Sequence, residues 1–514
     1  MGRISSGDCT LSAAEFSDRA ARAATVLESL GVRKGDGVAL YLRNDLAFFE
    51  ASFGAGLLGV YPVPVNWHYT PDEAGYLLRD SGVKLLLIHA DLLPPIAAAI
   101  PAGLRVVVVA TSPELRAAYR LPDDPPTTLA LWHTLVDTAA PLTRAPEVAP
   151  STIIYTSGTT GRPKGVRRET FTPEQTAAAA TMLGWSYGYT EHLEGRRDPT
   201  EIVTAVVGPV YHAAPNAHSG FSIRCGANVI IVPKFDAEGL LQLIEAKRIT
   251  HLNMVPIMFN RLLRLPDDVR RKYDLSSLRY VTHAAAPCPP PVKRAMIDWW
   301  GPVINEYYGS TEMGNVTNLT SEEWLAHPGS VGRVMPGIDV RVIDEAGNDV
   351  PVGTVGEVIG RARIAAEFTY RNAPEKRASM EKAGLITPGD IGYFDTDGFL
   401  YLCDRKNDMI ISGGANIYPA EIEAELHKMA GVADCAVFGI PDEEFGERVM
   451  AVVQPMPGVT LDAAAMRADM RRSLAGFKVP RRIDFADSLP REDSGKIFKR
   501  KLRAPFWRGR ETAI

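Results

Sequence analysis

Residues 151–166, which read STIIYTSGTTGRPKGV, are the stretch that decides the fold. The first part is apolar and β-branched, which predicts the end of a buried strand. The remainder supplies hydroxyl groups, glycines and one lysine, and glycine lets backbone N–H groups approach an anion closely. We therefore expect this loop to hold a polyphosphate, through Thr156, Ser157, Gly158, Thr159, Thr160, Gly161 and Lys164.

The loop differs from a Walker A motif, which has glycine before its lysine and serine or threonine after it. Here the neighbours of Lys164 are Pro163 and Gly165, so a P-loop fold is disfavoured. A plain polar turn is the ordinary explanation for a loop of this composition. The length and order of this stretch favour a phosphate site instead.

Length and composition indicate a globular protein of more than one domain. A chain of 514 residues exceeds what one hydrophobic core usually supports, and its charged fraction of 23% is ordinary. The net charge of −5 offers no general attraction for nucleic acid. Five cysteines without CxxC spacing indicate neither a disulfide framework nor a zinc site.

No segment of the sequence predicts a membrane span. Residues 1–22 are too polar for a signal peptide, and the apolar residues 53–65 are interrupted by Pro62 and Pro64. We expect no integral membrane contact and a cytoplasmic location, which also suits reduced cysteines. A homodimer is one assembly that the sequence leaves open.

Helix and strand patterns alternate and predict an α/β fold with largely parallel, stacked sheets. After Pro336, short strands separated by glycine, aspartate and asparagine predict a β-rich subdomain. A compact run of strands and helices then predicts a small α+β domain. The predicted domains span residues 1–404 and 405–514. Helices are expected at residues 11–30, 46–58, 240–247, 419–429 and 461–474, and strands at 84–88, 105–110, 228–233, 279–283, 339–344, 356–361 and 399–403.

A second polar segment, residues 307–312, follows an apolar run and reads YYGSTE. An aromatic face can stack on a purine, a threonine can donate to a phosphate, and a carboxylate is a hard oxygen ligand for Mg²⁺. In isolation, a polar turn at a strand end explains the segment equally well. Together with the first loop, it favours a nucleotide site.

Two further segments suit other parts of a nucleotide. Residues 283–287, HAAAP, end a strand with small side chains against which a flat base can lie. Asp390 precedes a strand and Arg405 follows a hairpin; a carboxylate can accept both hydrogens of a ribose diol, and an arginine can reach ribose and phosphate. Taken singly, a tight alanine turn and solvated charges explain these residues as well.

In this order, the segments resemble the motifs of the adenylate-forming superfamily, which includes acyl-CoA synthetases, peptide synthetase adenylation domains and beetle luciferases. The resemblance implies that the first loop holds the β- and γ-phosphates of ATP. It implies that His283 lies near the acid pocket, where many relatives have serine or glycine. It also implies adenine contacts from Ala285, Ala286, Tyr308 and Gly309, phosphate contact from Thr311, magnesium binding by Glu312, and ribose contacts from Asp390 and Arg405.

The resemblance extends into the second domain, which is mobile in relatives. Gly413 and Gly414 match a motif that lies along a pantetheine channel, and Asn407 stands where relatives have a hinge Asp or Lys. Lys496, in the sequence SGKI, matches the lysine that contacts the carboxylate and the α-phosphate. His212 matches an aromatic gate at the acid pocket. The small residues after it, Ala213, Ala214, Ala217 and Ser219, predict a roomy pocket.

The resemblance implies an ATP-dependent acid ligase that forms an acyl-adenylate and then an acyl-CoA thioester, with ATP, Mg²⁺ and coenzyme A taking part. A medium- to long-chain or bulky cyclic or aromatic acid is expected. An amide ligase, in which an amine replaces CoA, is the main alternative, and a carrier-protein-loading enzyme is another. A catalytically idle AMP-binding regulator is a third reading, against which intact Lys496, Glu312 and Asp390 argue.

Overall fold

The computed structural model describes residues 2–156, 162–363, 366–405, 408–413, 415–491 and 497–508. These ranges contain four sheets. The strands are β1 (Arg3–Ser6), β2 (Cys9–Ser12), β3 (Gly37–Tyr41), β4 (Tyr61–Pro64), β5 (Leu85–His89), β6 (Arg105–Val109), β7 (Ile154–Thr156), β8 (Lys164–Arg168), β9 (Val203–Val206), β10 (Asn228–Ile231), β11 (His251–Met254), β12 (Tyr280–His283), β13 (Ile304–Ser310), β14 (Gly314–Leu319), β15 (Ser330–Val334), β16 (Ile338–Ile343), β17 (Gly356–Ala362), β18 (Phe368–Tyr370), β19 (Glu381–Lys382), β20 (Leu385–Ile386), β21 (Asp390–Phe394), β22 (Phe399–Arg405), β23 (Ile410–Ser412), β24 (Ala415–Ile417), β25 (Val432–Asp442), β26 (Gly446–Pro455) and β27 (Arg482–Phe485).

The helices connect and cover these strands. They are α1 (Ala13–Ser29), α2 (Leu46–Leu57), α3 (Pro71–Ser81), α4 (Leu93–Ile96), α5 (Pro113–Tyr119), α6 (Trp132–Thr138), α7 (Pro173–Tyr187), α8 (Thr190–Leu193), α9 (Ala213–Arg224), α10 (Ala237–Lys247), α11 (Pro256–Leu263), α12 (Asp267–Arg270), α13 (Pro290–Trp300), α14 (Ser321–Ala326), α15 (Pro374–Ser379), α16 (Pro419–His427), α17 (Ala463–Met470) and α18 (Lys499–Trp507). Within the described ranges, every helix is too short or too polar to traverse a lipid bilayer.

The largest sheet has 15 strands in the order β19-β20-β17-β21-β22-β15-β14-β13-β12-β11-β9-β10-β1-β2, with β16 paired to β17. Its central strands β10, β9, β11, β12 and β13 are parallel, as the alternation of helix and strand predicts. The β-rich segment after Pro336 joins this same sheet through the antiparallel pairs β14·β15 and β15·β22. The segment therefore extends the large sheet and leaves no open edge at β14.

Three smaller sheets complete the fold. The parallel sheet β4-β3-β5-β6 lies in the first part of the chain, and the antiparallel sheet β18-β8-β7 holds the strands on either side of the phosphate loop. The last sheet, β24-β23-β26-β25 with β27 beside β26, belongs to the C-terminal part. The α/β class predicted from the sequence is confirmed.

The predicted helices are present, and local side chains explain their boundaries. Helix α1 begins after Ser12, which forms a capping box with Glu15. Helix α10 begins earlier than predicted, at Ala237, because the Asp236 carboxylate accepts a hydrogen bond from the Gly239 N–H. The β1·β2 hairpin was not predicted, since its short polar strands lack an apolar alternation.

A buried ion pair ties α13 to β13. The Lys293 ammonium donates to the Glu306 carboxylate at 2.6 Å, and the Lys293 side chain is fully buried. His283, at the end of β12, lies with its Nε2 3.4 Å from the same carboxylate. Burial, and then the Lys293 charge, lower the pKa of His283 well below its usual value. The imidazole is therefore neutral, and Lys293 carries the compensating charge for Glu306.

Replacing Lys293 by methionine should lower the free energy of unfolding by about 3–5 kcal/mol, because Glu306 is then left buried without its partner. Chemical denaturation followed by tryptophan fluorescence measures this change. The double variant Lys293→Met/Glu306→Leu should recover most of the loss. A double variant as unstable as the single one would show that the ion pair is not the cause.

Candidate active site

The carboxyl ends of the central parallel strands bring several predicted site residues to one edge of the large sheet. His212 follows β9, Ala285 and Ala286 follow β12, and Tyr308 lies near the end of β13. Because β9, β11, β12 and β13 are parallel neighbours, these ends share the same edge. Such an edge is the usual ligand site of an open α/β sheet.

Three of the residues predicted to bind adenosine contact one another. The Tyr308 hydroxyl donates to Asp390 Oδ2 at 2.6 Å, and Arg405 Nε lies 3.3 Å from Asp390 Oδ1. Asp390 and Arg405 are direct cross-strand partners in the β21·β22 pair, which explains their proximity. Burial, and then the Asp390 charge, raise the pKa of Tyr308 well above its usual value, so its hydroxyl remains a donor.

One oxygen of the Glu312 carboxylate accepts hydrogen bonds from two hydroxyl groups. Tyr370 donates to its Oε1 at 2.8 Å, and Thr156 donates to the same atom at 3.3 Å. Arg168 donates to the backbone carbonyls of Thr311 and Glu312, at 2.9 and 2.8 Å. A carboxylate and a neighbouring hydroxyl are hard oxygen ligands, so the donor set fits Mg²⁺.

The structure describes the two strands that flank the phosphate loop. Thr156, the last residue of β7, is paired across the sheet with Lys164, the first residue of β8. Both ends of the predicted loop are therefore held side by side, close to Glu312. The predicted phosphate contacts Ser157, Gly158, Thr159, Thr160 and Gly161 lie outside the described residues.

The predicted adenine wall has an unusual backbone. Ala285 is exposed and has φ +71°, a left-handed conformation that is rare for residues other than glycine. The chain therefore turns sharply after β12 and presents backbone at the sheet edge. Gly309 packs against β14 so closely that a Cβ atom would meet the Gly314 carbonyl oxygen at 2.1 Å. Only glycine fits there.

His212 is the N-cap residue of α9, and the face that α9 turns into the core is polar and aromatic. That face carries His218, Ser219, Phe221 and Ser222. The His218 ring meets Tyr187 at 4.9 Å between centroids. Of the four small residues expected to line a roomy pocket, only Ser219 is fully buried, and its hydroxyl donates to a carbonyl of its own helix.

His283 lies on the other face of the sheet from α9. Its ring contacts Phe259 of α11 edge-on, 5.4 Å between centroids. Alternation along β12 and β13 places Ala284 and Tyr307 in the core cluster that contains Phe221 of α9. Ala284 and Tyr307 therefore face α9, whereas His283 faces α11, and the place of His283 near the acid pocket stays a prediction.

In the C-terminal part, Gly413 has φ +58° and its N–H donates to the Phe445 carbonyl at 2.8 Å. The Arg481 guanidinium stands 5.2 Å from the centre of the Phe445 ring. An aromatic and a basic residue thus lie beside Gly413. The other predicted residues of this part, Gly414, Asn407 and Lys496, lie outside the described residues.

Comparison with protein families agrees with this geometry. The family model described as "AMP-binding enzyme" matches residues 3–366, and the model "AMP-binding enzyme C-terminal domain" matches residues 421–496. The chain belongs to the AMP-binding enzyme family. The resemblance seen in the sequence motifs is thereby confirmed.

Relatives of this family member cover nearly its whole length. A feruloyl-CoA synthase from Streptomyces sp is 34% identical over 97% of this chain and 95% of the relative. Long-chain-fatty-acid–CoA ligase FadD13 from Mycobacterium tuberculosis (strain ATCC 25618 / H37Rv) is 32% identical over 98% of this chain and 94% of that protein.

Solved structures share the fold. ATP-bound MatB from Rhodopseudomonas palustris superposes with a TM-score of 0.84 at 28% identity, covering 98% of this chain and 96% of that one. The amide bond synthetase McbA from Marinactinospora thermotolerans superposes with a TM-score of 0.83 at 25% identity and the same coverage. The likeness thus includes proteins named for thioester formation and one named for amide formation.

The structure adds site residues of this AMP-binding enzyme that sequence reasoning missed. Tyr370 and Arg168 both hold Glu312, and Asp80 accepts a hydrogen bond from the Tyr155 hydroxyl at 2.8 Å. No glycine-rich or hydroxyl-rich segment marks these residues. They are brought to the site by pairing in the β18-β8-β7 sheet and by packing against α3.

Replacing Asp390 by alanine should weaken ATP binding about 10- to 100-fold, because hydrogen bonds from the ribose to a charged acceptor are lost. The wild-type protein should prefer ATP over 2′-deoxy- and 3′-deoxy-ATP, and the variant should lose that preference. Equilibrium binding of the three nucleotides measures both effects. Asp397→Ala, in the exposed turn of the same hairpin, is the control; an Asp390 variant that still discriminates would contradict the ribose role.

Proposed function

We propose that the protein is an ATP-dependent acid–CoA ligase. It joins a carboxylic acid to AMP, with release of pyrophosphate, and then transfers the acyl group to the thiol of CoA with release of AMP. The observation that carries this proposal is the pair of clusters at one sheet edge. Tyr308, Asp390 and Arg405 suit a ribose, and Glu312 with Thr156 suits a metal-bound phosphate.

In the first half-reaction, the acid carboxylate attacks the α-phosphorus of ATP. The loop between Thr156 and Lys164 holds the departing pyrophosphate, and Asp390 with Arg405 holds the ribose. Glu312 would hold Mg²⁺, which when bound neutralises charge on the phosphates. Lys496, assigned by the superfamily motif, stabilises the negative charge that develops at the α-phosphorus.

In the second half-reaction, we propose that the C-terminal domain rotates about Asn407, while Arg405 stays in β22 beside Asp390. This rotation withdraws Lys496 and brings Gly413 and Gly414 to the acceptor channel, and His212 moves to admit the thiol. The ring of Phe445 with Arg481 over it suits the base and phosphates of a nucleotide acceptor such as CoA. The cytoplasm, which supplies ATP and CoA, is the proposed location.

For the acid, we propose a medium- to long-chain or bulky cyclic or aromatic carboxylate. Relatives named for feruloyl, indoleacetate and long-chain fatty acid substrates support this range. The small and partly exposed residues Ala213, Ala214 and Ala217 of α9 favour a bulky acid over a small one such as acetate. A panel of acids screened by pyrophosphate release, with and without CoA, tests the proposal.

Replacing Lys496 by alanine should slow pyrophosphate release by at least about 100-fold, because a preorganised positive charge is lost from the transition state. Thioester formation from supplied acyl-adenylate should remain mostly intact. Lys501→Ala, an exposed lysine of the following helix, is the control and should affect neither step. Equal losses in both half-reactions would contradict the two-orientation mechanism.

An amide ligase is the second candidate, supported by the structural likeness to McbA. The acceptor distinguishes the two functions. With an acid that is turned over, CoA should accelerate AMP release far more than hydroxylamine or simple amines do, because only CoA carries a base and phosphates that Phe445 and Arg481 can contact. If CoA does not change the rate of AMP release, the result would contradict the CoA ligase and favour the amide ligase.

A further inference from the structure

The Glu312 carboxylate is asymmetrically bound. Tyr370 and Thr156, which come from different strands of the β18-β8-β7 sheet, both donate to Oε1. Oε2 accepts no hydrogen bond from a residue in the described ranges.

We propose that Tyr370 is a positioning residue for magnesium binding. By holding Oε1, it keeps the Glu312 side chain in one rotamer and leaves Oε2 as the ligand for the ion. This inference rests on the proposed function, in which Glu312 holds Mg²⁺. It predicts that the Tyr370 hydroxyl increases the affinity for MgATP and does not change the affinity for ATP without metal.

The backbone of Glu312 is held by the same small sheet. Arg168 of β8 donates to the carbonyls of Thr311 and Glu312 and also to the carbonyl of Ala366, just before β18. Arg168 lies opposite Phe368 in the β18·β8 register. Hydrogen bonds from the β18-β8-β7 sheet therefore hold both the side chain and the backbone of Glu312. The same sheet carries the two ends of the phosphate loop.

Asp80 of α3 fastens the two outer strands of this sheet. Its Oδ2 accepts from the Tyr155 hydroxyl of β7 at 2.8 Å, and its Oδ1 accepts from the Asn372 amide, two residues beyond Tyr370, also at 2.8 Å. One carboxylate thus bridges the strand before the phosphate loop and the strand that carries Tyr370. This bridge joins the segment that follows Tyr370 to β7.

A purely structural role for Tyr370 makes a different prediction. Its hydroxyl also lies 3.0 Å from Met380 Sδ, and its ring belongs to a small core cluster with Phe368 and Val166. If packing were its whole role, removal of the hydroxyl would lower stability, or would affect ATP equally with and without metal. Metal-dependent nucleotide binding therefore separates the two roles.

The test compares Tyr370→Phe with the wild-type protein by isothermal titration calorimetry, without acid. ATP is titrated once with excess Mg²⁺ and once with EDTA. We expect the affinity for MgATP to fall about 10- to 100-fold, as for other residues that orient a metal ligand, and the affinity for metal-free ATP to be unchanged. Tyr280→Phe, which removes a partly buried hydroxyl that donates to the Trp185 carbonyl at 3.0 Å, is the matched control.

An equal loss with and without Mg²⁺, or no loss in either titration, overturns the inference. Asp80→Asn provides a second variant that keeps the Tyr370 ring and hydroxyl. It should show a smaller loss confined to MgATP, and a loss of metal-free ATP binding would overturn the bridge. If the wild-type protein bound ATP in neither titration, the proposed function itself would fail, and that result is distinct from every variant outcome.

Discussion

The buried Asp390 carboxylate is the interaction on which the active site depends. It is 8% exposed, accepts the Tyr308 hydroxyl and meets the Arg405 guanidinium. A buried carboxylate is stable only with such partners, so the β13 end, β21 and the last residue of β22 are held in one arrangement. Residues far apart in sequence thereby form the proposed ribose site, and Arg405 is the last residue of β22 in the large sheet.

The β18-β8-β7 sheet connects this ribose site to the phosphate side. It carries the ends of the phosphate loop, supplies Tyr370 and Thr156 to one oxygen of Glu312, and supplies Arg168 to the backbone of the same residue. The Glu312 carboxylate and the two strands that flank the phosphate loop are thus attached to one small sheet. If Glu312 holds Mg²⁺ as proposed, the proposed phosphate and metal sites are positioned together before any ligand binds, which lowers the reorganisation needed for catalysis.

The two faces of the large sheet serve different purposes. One face carries Lys293, Glu306 and His283, a charged cluster that is buried and ties α13 to β13. The other face meets α9, whose inward residues include His218 and Phe221. The roomy pocket expected from the alanines after His212 stays a prediction, because the rotation of α9 about its axis decides which of its residues face a pocket.

The sequence alone determined the α/β class and the family motifs. It also identified most of the site residues that contact one another in the structure, because they lie in short motifs at strand ends. Thr156, Tyr308, Glu312, Asp390 and Arg405 were all predicted in this way. Tertiary structure alone revealed Tyr370, Arg168 and Asp80, and placed His283 on the face away from α9. These residues act through strand pairing and packing between segments that are distant in the chain, and such contacts leave no local pattern in the sequence.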